Sequence, residues 1–197
     1  MSVTRERWRH RLPHWEVLEQ PHFITIRCAN SLPRIARARI SELHGALREI
    51  NPNSPQFLLL QRQYFLTCEK YLDVAEGFQP FLNQAVCQLL PQAWDEWPVN
   101  FGWVVSHYVI MPNHVHFLMQ PNRPIPQPFR KALRHFKGST ARSANMVLGR
   151  TGAFWQADWF DRWMRNEAEV AKVITYIHAN PVKAKLVTRW SDYCWVK

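Results

Sequence analysis

With 197 residues and 47% hydrophobic content, the chain is long enough to bury one core and too apolar for a disordered protein. A formal net charge of +10 at pH 7 points toward a polyanionic partner. The four cysteines (Cys28, Cys68, Cys87 and Cys194) are scattered with no Cys-x-x-Cys pair, giving no basis for a zinc finger or thioredoxin-like site, and no stretch approaches a membrane span.

Residues 1–21 read as a basic N-terminal arm containing Trp8 and Trp15, and residues 22–197 as a single domain. The first strand is predicted from His22 to Cys28, closed by the turn-forming Asn30-Ser31-Leu32-Pro33. A helix should follow from about Arg34 to Ile50, with Ile35, Ile40, Leu43 and Leu47 making much of an apolar stripe, until Asn51 to Pro55 breaks it. Gln56 to Ala75 fits either one helix or a helix plus a strand. Gly77 to Pro80 is a break, and Phe81 to Trp94 reads as a second helix through Leu82, Val86, Leu89 and Leu90. Residues 51–100 hold little positive charge and read as scaffold.

Trp103 to Ile110 is rich in β-branched and aromatic residues, Pro112-Asn113 supplies turn chemistry, and a second apolar run follows, so a β-hairpin is expected. Beyond the proline-rich connector Pro121 to Pro128, a helix from about Phe129 to Met146 sets Phe129, Leu133 and Phe136 in one row. Arg130, Arg134 and Lys137 stand in the row beside it. Residues 121–165 carry a net +7, from nine basic and two acidic side chains, so this row is the expected phosphate-binding surface. Phe154, Trp155, Trp159, Phe160 and Trp163 read chiefly as core, with one or two able to stack bases. Asn166 with Glu169 starts a last helix, whose apolar face is Val170, Val173, Ile174 and Ile177. Pro181 should end it near Ala179, leaving Tyr176 and Asn180 one turn apart on one face, off the apolar stripe. The pattern as a whole predicts an α+β fold, an antiparallel sheet with helices packed mainly on one face.

Side chains alternate along a strand, so His114 and His116 leave the second hairpin strand on one face, within reach of one ion. The Asn180 amide oxygen is expected as a third ligand and the Tyr176 hydroxyl as a nucleophile. From ligand type alone, two imidazoles suit Mn²⁺ or Zn²⁺ better than Mg²⁺.

Met111-Pro112-Asn113-His114-Val115-His116 resembles the His-hydrophobic-His (HUH) motif of the single-tyrosine transposases. Tyr176-Ile177-His178-Ala179-Asn180-Pro181-Val182-Lys183-Ala184 resembles the nucleophile helix of the same family. Leu12-Pro13-His14-Trp15, Phe23-Ile24-Thr25-Ile26, Ser31-Leu32-Pro33 and Phe154-Trp155-Gln156 are similar to stretches of its REP-associated branch. Lys185 departs from the pattern, standing where relatives usually have glycine. The resemblance implies a ferredoxin-like core and a Mg²⁺ or Mn²⁺ cofactor. It implies metal-dependent nicking and joining of single-stranded DNA through a 5′-phosphotyrosine at Tyr176, on hairpin-forming repeats, in a prokaryotic cytoplasm near the nucleoid. No membrane or small-molecule substrate is expected, and the choice between monomer and homodimer stays open. The alternative reading is a catalytically silent nucleic-acid-binding protein on the same fold, either a repressor or an RNA-binding module.

Overall fold

The computed structural model describes residues 3–9, 12–51, 54–74, 77–123 and 126–197. Its centre is a four-stranded antiparallel sheet of β3 (His22–Arg27), β4 (Trp103–Met111), β5 (His114–Pro121) and β6 (Phe160–Trp163), ordered β4-β5-β3-β6. Among the described residues, four α-helices lie between β3 and β4: α1 (Arg34–Glu49), α2 (Pro55–Leu72), α3 (Gln84–Asp95) and α4 (Trp97–Asn100). Helix α5 (Phe129–Val147) joins β5 to β6, and α6 (Glu167–Lys183) follows. The sheet elements thus run β-α-β-β-α-β with the first and third strands central, a ferredoxin-like core.

Alternation along β5 divides the molecule. Val115, Phe117 and Met119 join Ile24 and Ile26 in the main core, which α3, α4 and α5 cover with Trp94, Trp97, Phe129, Leu133 and Phe136. The Trp94 and Phe136 rings stack with centroids 5.2 Å apart. On the other face Phe23, Val109, Met111 and Leu118 pack against Ile177 and its neighbours on α6, with Phe65 of α2 at the margin. Helices therefore cover both faces, because β3, β4 and β5 each carry apolar residues on both. A register shift between Val105 and His107 lets Trp103 and Val105 share the core side with Ile110.

Several local expectations change. The ambiguous stretch after residue 55 is one helix, α2, capped by Ser54 Oγ accepting from Phe57 N–H (3.2 Å). Helix α3 begins at Gln84 because Asn83 caps it, and Phe81 and Leu82 sit in a 3-10 turn. The aromatic stretch supplies an edge strand, β6. Helix α6 continues past Ala179 to Lys183, since Pro181 removes one donor in a last turn whose carbonyls are closed differently. Leu186 N–H bonds to Pro181 O and Lys185 N–H to Val182 O, both 2.9 Å, and Lys185 takes the left-handed conformation (φ 57°) that glycine would favour.

The N-terminal arm is a hairpin, β1 (Thr4–Arg9) paired with β2 (Pro13–Val17). It is clasped to the β6 region by buried His14, which hydrogen-bonds Asp158 (2.9 Å) and Asp161. Glu16 holds its other side by accepting from Phe129 N–H (3.0 Å) at the start of α5. His10 and Arg11 at the hairpin tip, Pro52 and Asn53 in the α1–α2 break, Ala75 at the expected end of the second segment, and Pro124 and Ile125 of the connector lie outside the described residues. No helix among the described residues is long and apolar enough to cross a membrane.

Candidate active site and metal centre

His114 and His116 leave β5 on the α6 face, fully buried, with their Nε2 atoms 3.1 Å apart. Two imidazoles pressed together without an ion repel one another once charged, so their neighbours indicate how the rings are held. Asn113 Nδ2 donates to Leu72 O (3.4 Å), which turns Asn113 Oδ1 toward His114 Nδ1 at 2.6 Å. That oxygen can only accept, so His114 carries its proton on Nδ1 and presents an Nε2 lone pair to the site. Thr25 Oγ1 stands 2.8 Å from His116 Nδ1, and as a hydroxyl it can donate to that nitrogen or accept from it. Burial, then the adjacent His116, push His114 down to about 3, so the ring stays neutral.

Glu69 from α2 completes the cluster. Its Oε2 lies 3.2 Å from His116 Nε2 and accepts a hydrogen bond from the Tyr176 hydroxyl, which is 3.4 Å from the same nitrogen. One donor atom each from Glu69, His114 and His116 falls within a 4.8 Å group, all three residues buried. Burial alone would raise the Glu69 carboxyl, but the facing His116 imidazole outweighs it and holds the group well below the usual carboxylate range. Burial and the Glu69 charge raise the Tyr176 phenol far above its usual value, so it stays protonated without assistance.

Tyr176 projects from α6 into this cluster rather than standing clear of the apolar stripe. Its ring packs edge-on against Phe23 (5.7 Å) and beside Phe65 (5.9 Å). Asn180, one turn on, donates from Nδ2 to Tyr176 O (2.7 Å), and its Oδ1 is buried without a hydrogen-bond partner. Glu69 Oε1 is likewise buried and unpartnered. A buried carboxylate oxygen without a donor, beside the His114 lone pair and the His116 ring, fits a divalent cation, because a cation satisfies it where no protein hydrogen does.

The basic row lies elsewhere. Helix α5 packs on the opposite face of the sheet from the histidines, so Arg130, Arg134 and Lys137 are not brought to Tyr176. Arg130 pairs with Glu6 at 2.8 Å. Lys137 Nζ donates to Gln156 O (2.8 Å) and Ala157 O (2.6 Å), and burial pushes its amine down to about 8. Arg134 is exposed. Glu69, conversely, was hidden among residues read as scaffold. The signal that marks it is its place between Phe65 and Leu72 at helical spacing, a carboxylate on a stripe otherwise meant for burial.

A family model described as Transposase IS200 like matches residues 79–180, just over half of the chain, a span holding both histidines, Tyr176 and Asn180. Among solved structures, a REP-associated tyrosine transposase bound to a REP hairpin aligns over 97% of this chain and 81% of its own, with TM-score 0.56 and 17% identity. A putative transposase from Deinococcus radiodurans R1 covers 81% of this chain and 89% of its own at TM-score 0.33 and 14% identity, too loose a likeness to argue from. At 17% identity, the first likeness shows the fold. No curated protein matches the chain.

Proposed function

The chain belongs to the family of IS200-like transposases, and on that premise we propose that it nicks and rejoins single-stranded DNA through a covalent bond to Tyr176. The observation that carries this reading is the convergence of the Tyr176 hydroxyl on the Glu69, His114 and His116 cluster. In the proposal the Tyr176 oxygen attacks a phosphorus, and Glu69, which already accepts its hydrogen bond, relays the phenol proton to the departing 3′-oxygen rather than keeping it. The bond to the 3′-oxygen breaks, leaving a 5′-phosphotyrosyl end and a free 3′-hydroxyl that can later reverse the step. Phe23 and Phe65 hold the phenol ring in line, and the buried setting keeps water from competing for the linkage.

His114 Nε2, His116 Nε2 and the Glu69 carboxylate would hold a divalent ion, with the Asn180 oxygen as a further candidate. When bound, such an ion supplies Lewis-acid polarisation of a phosphoryl oxygen. Two imidazoles favour Mn²⁺ over Mg²⁺, and the added carboxylate suits Mn²⁺ too. The substrate class proposed is hairpin-forming DNA with an unpaired flank, since the solved relative with the same fold is bound to a REP hairpin. Arg134 and its neighbours, behind the sheet, would meet a paired stem or distant backbone rather than the phosphate under attack.

The test uses a labelled hairpin with a single-stranded flank and Mn²⁺. His114→Ala, His116→Ala and Glu69→Gln should each abolish cleavage and lower Mn²⁺ affinity in calorimetry by at least about tenfold. Unchanged Mn²⁺ affinity in all three would make them core residues and leave DNA binding without chemistry.

A further inference from the structure

Beside the metal cluster, and sharing Glu69 and Thr25 with it, lies a cavity of about 350 Å³ bounded by α1, α2, β3 and the residue 156–160 segment. Its walls are aromatic and aliphatic, among them Tyr64 and Trp159. Arg27, Arg37, Asn30 and Gln156 line it as well. Arg37 is tied down by donating from Nε to Leu32 O (3.2 Å) and sits at an exposed margin. A void left by imperfect packing beneath a helical hairpin would be apolar and small. This one is large enough for a ligand and polar at fixed points.

Most of the lining comes from residues before 79, outside the span that matches the family model. The helical pair α1–α2 thus delivers Glu69 to the catalytic cluster and encloses the space next to it, tying the cavity to the chemistry while leaving it distinct from the catalytic strands. Flat apolar walls, guanidinium groups and amide edges are the chemistry that receives an unstacked nucleotide. The walls take the base face, the amides its edge and the arginines a phosphate.

We propose that this cavity receives one unpaired nucleotide adjoining the phosphate that Tyr176 attacks, and so sets the base preference at that position. The proposal rests on the reading of the neighbouring cluster as a DNA-nicking centre. The strand approaches along the margin where Arg37 stands, one base leaves the stack and enters between the α1–α2 pair and the 156–160 segment, and the next phosphate lies at the Glu69 end.

The test scans a hairpin whose single-stranded flank carries one abasic site at each position in turn, with binding read by fluorescence anisotropy and adduct formation read separately. Wild-type protein should lose affinity about tenfold to a hundredfold at a single position, the cost of one lost base stack. Exposed Ser41 lines the cavity, and Ser41→Trp should fill it and remove that position dependence, with Mn²⁺ affinity and thermal unfolding retained. Arg37→Ala, a surface change, should flatten the salt slope by about 0.7. Placing each of the four bases at the sensitive position should rank affinities differently in wild type and in Ser41→Trp. Even losses along the flank, or a position dependence that survives in Ser41→Trp, would overturn the cavity assignment. Adducts formed by a wild type with even losses leave the nicking reading intact. Position-dependent binding with no adduct under any metal keeps the cavity and sinks that reading instead.

Discussion

The two faces of the central sheet differ in what they leave unsatisfied. On the core face, Trp94 and Trp97 are buried and their indole nitrogens, which can only donate, have no partner among the described residues. On the α6 face the unpartnered groups include Glu69 Oε1 and Asn180 Oδ1, which can only accept in the ionised carboxylate and the amide oxygen, together with His107 Nδ1 farther along β4. An orphan donor is a small cost carried by a large aromatic side chain. An orphan carboxylate oxygen beside two imidazoles forms a group that could hold a metal ion. One strand, β5, serves both: Val115 and Phe117 stabilise, and His114 and His116 are held ready at the expense of stability.

The comparison can be broken most forcefully at Phe117, fully buried on the core face. Phe117→Ala should cost about 3–5 kcal/mol of unfolding free energy in a denaturant titration, with Mn²⁺ affinity of the remaining folded protein unchanged. A loss below about 1 kcal/mol would mean the core face carries less of the fold than its packing implies.

A somewhat smaller effect belongs to the clasp at His14, where the hairpin meets β6. Burial would lower this imidazole, but the Asp161 and Asp158 carboxylates outweigh it and raise His14 from 6.5 to about 9. A raised histidine contributes its full stabilisation below its unfolded value, and loses it as pH climbs through the folded one. Stability should therefore fall between about pH 6.5 and 9, by an amount on the order of 3 kcal/mol, with His14→Ala flattening that slope. A wild-type curve level across the window would mean the clasp holds a neutral ring.

The smallest effect is at the end of α6. Lys185 adopts φ 57° where glycine pays no steric penalty, so Lys185→Gly should gain about 0.5–1 kcal/mol in thermal unfolding. Destabilisation would show that the Lys185 side chain makes a compensating contact.

Much of this is legible in the sequence alone. The alternation His114-Val115-His116 fixed which side chains share a face, and Asn166 with its Glu169 partner marked the start of α6, where Asn166 Oδ1 accepts from Glu169 N–H at 2.9 Å. What local pattern could not supply was tertiary. Glu69 reaches the histidines only because α2 folds back over the sheet, and nothing within α2 reports a partner at His116. The basic row on α5 was visible as a row, but which face of the sheet it covers depends on the crossover between β5 and β6. Lys137 then spends its charge on the Gln156 and Ala157 carbonyls, a contact across 19 and 20 residues of sequence. Pro181 does not end α6 at Ala179, because a proline in the last turn removes a single donor.

The central claim is that Tyr176 is the nucleophile of the α6 face. It is tested most directly by incubating the protein with Mn²⁺ and a hairpin whose single-stranded flank is labelled at its 3′ end, then separating covalent products under denaturing conditions and mapping the linked peptide. The account predicts a protein-bound label on Tyr176 that disappears in Tyr176→Phe while hairpin binding stays within a few-fold of wild type. A label on Tyr108 or Tyr193, or one that persists in Tyr176→Phe, would contradict it.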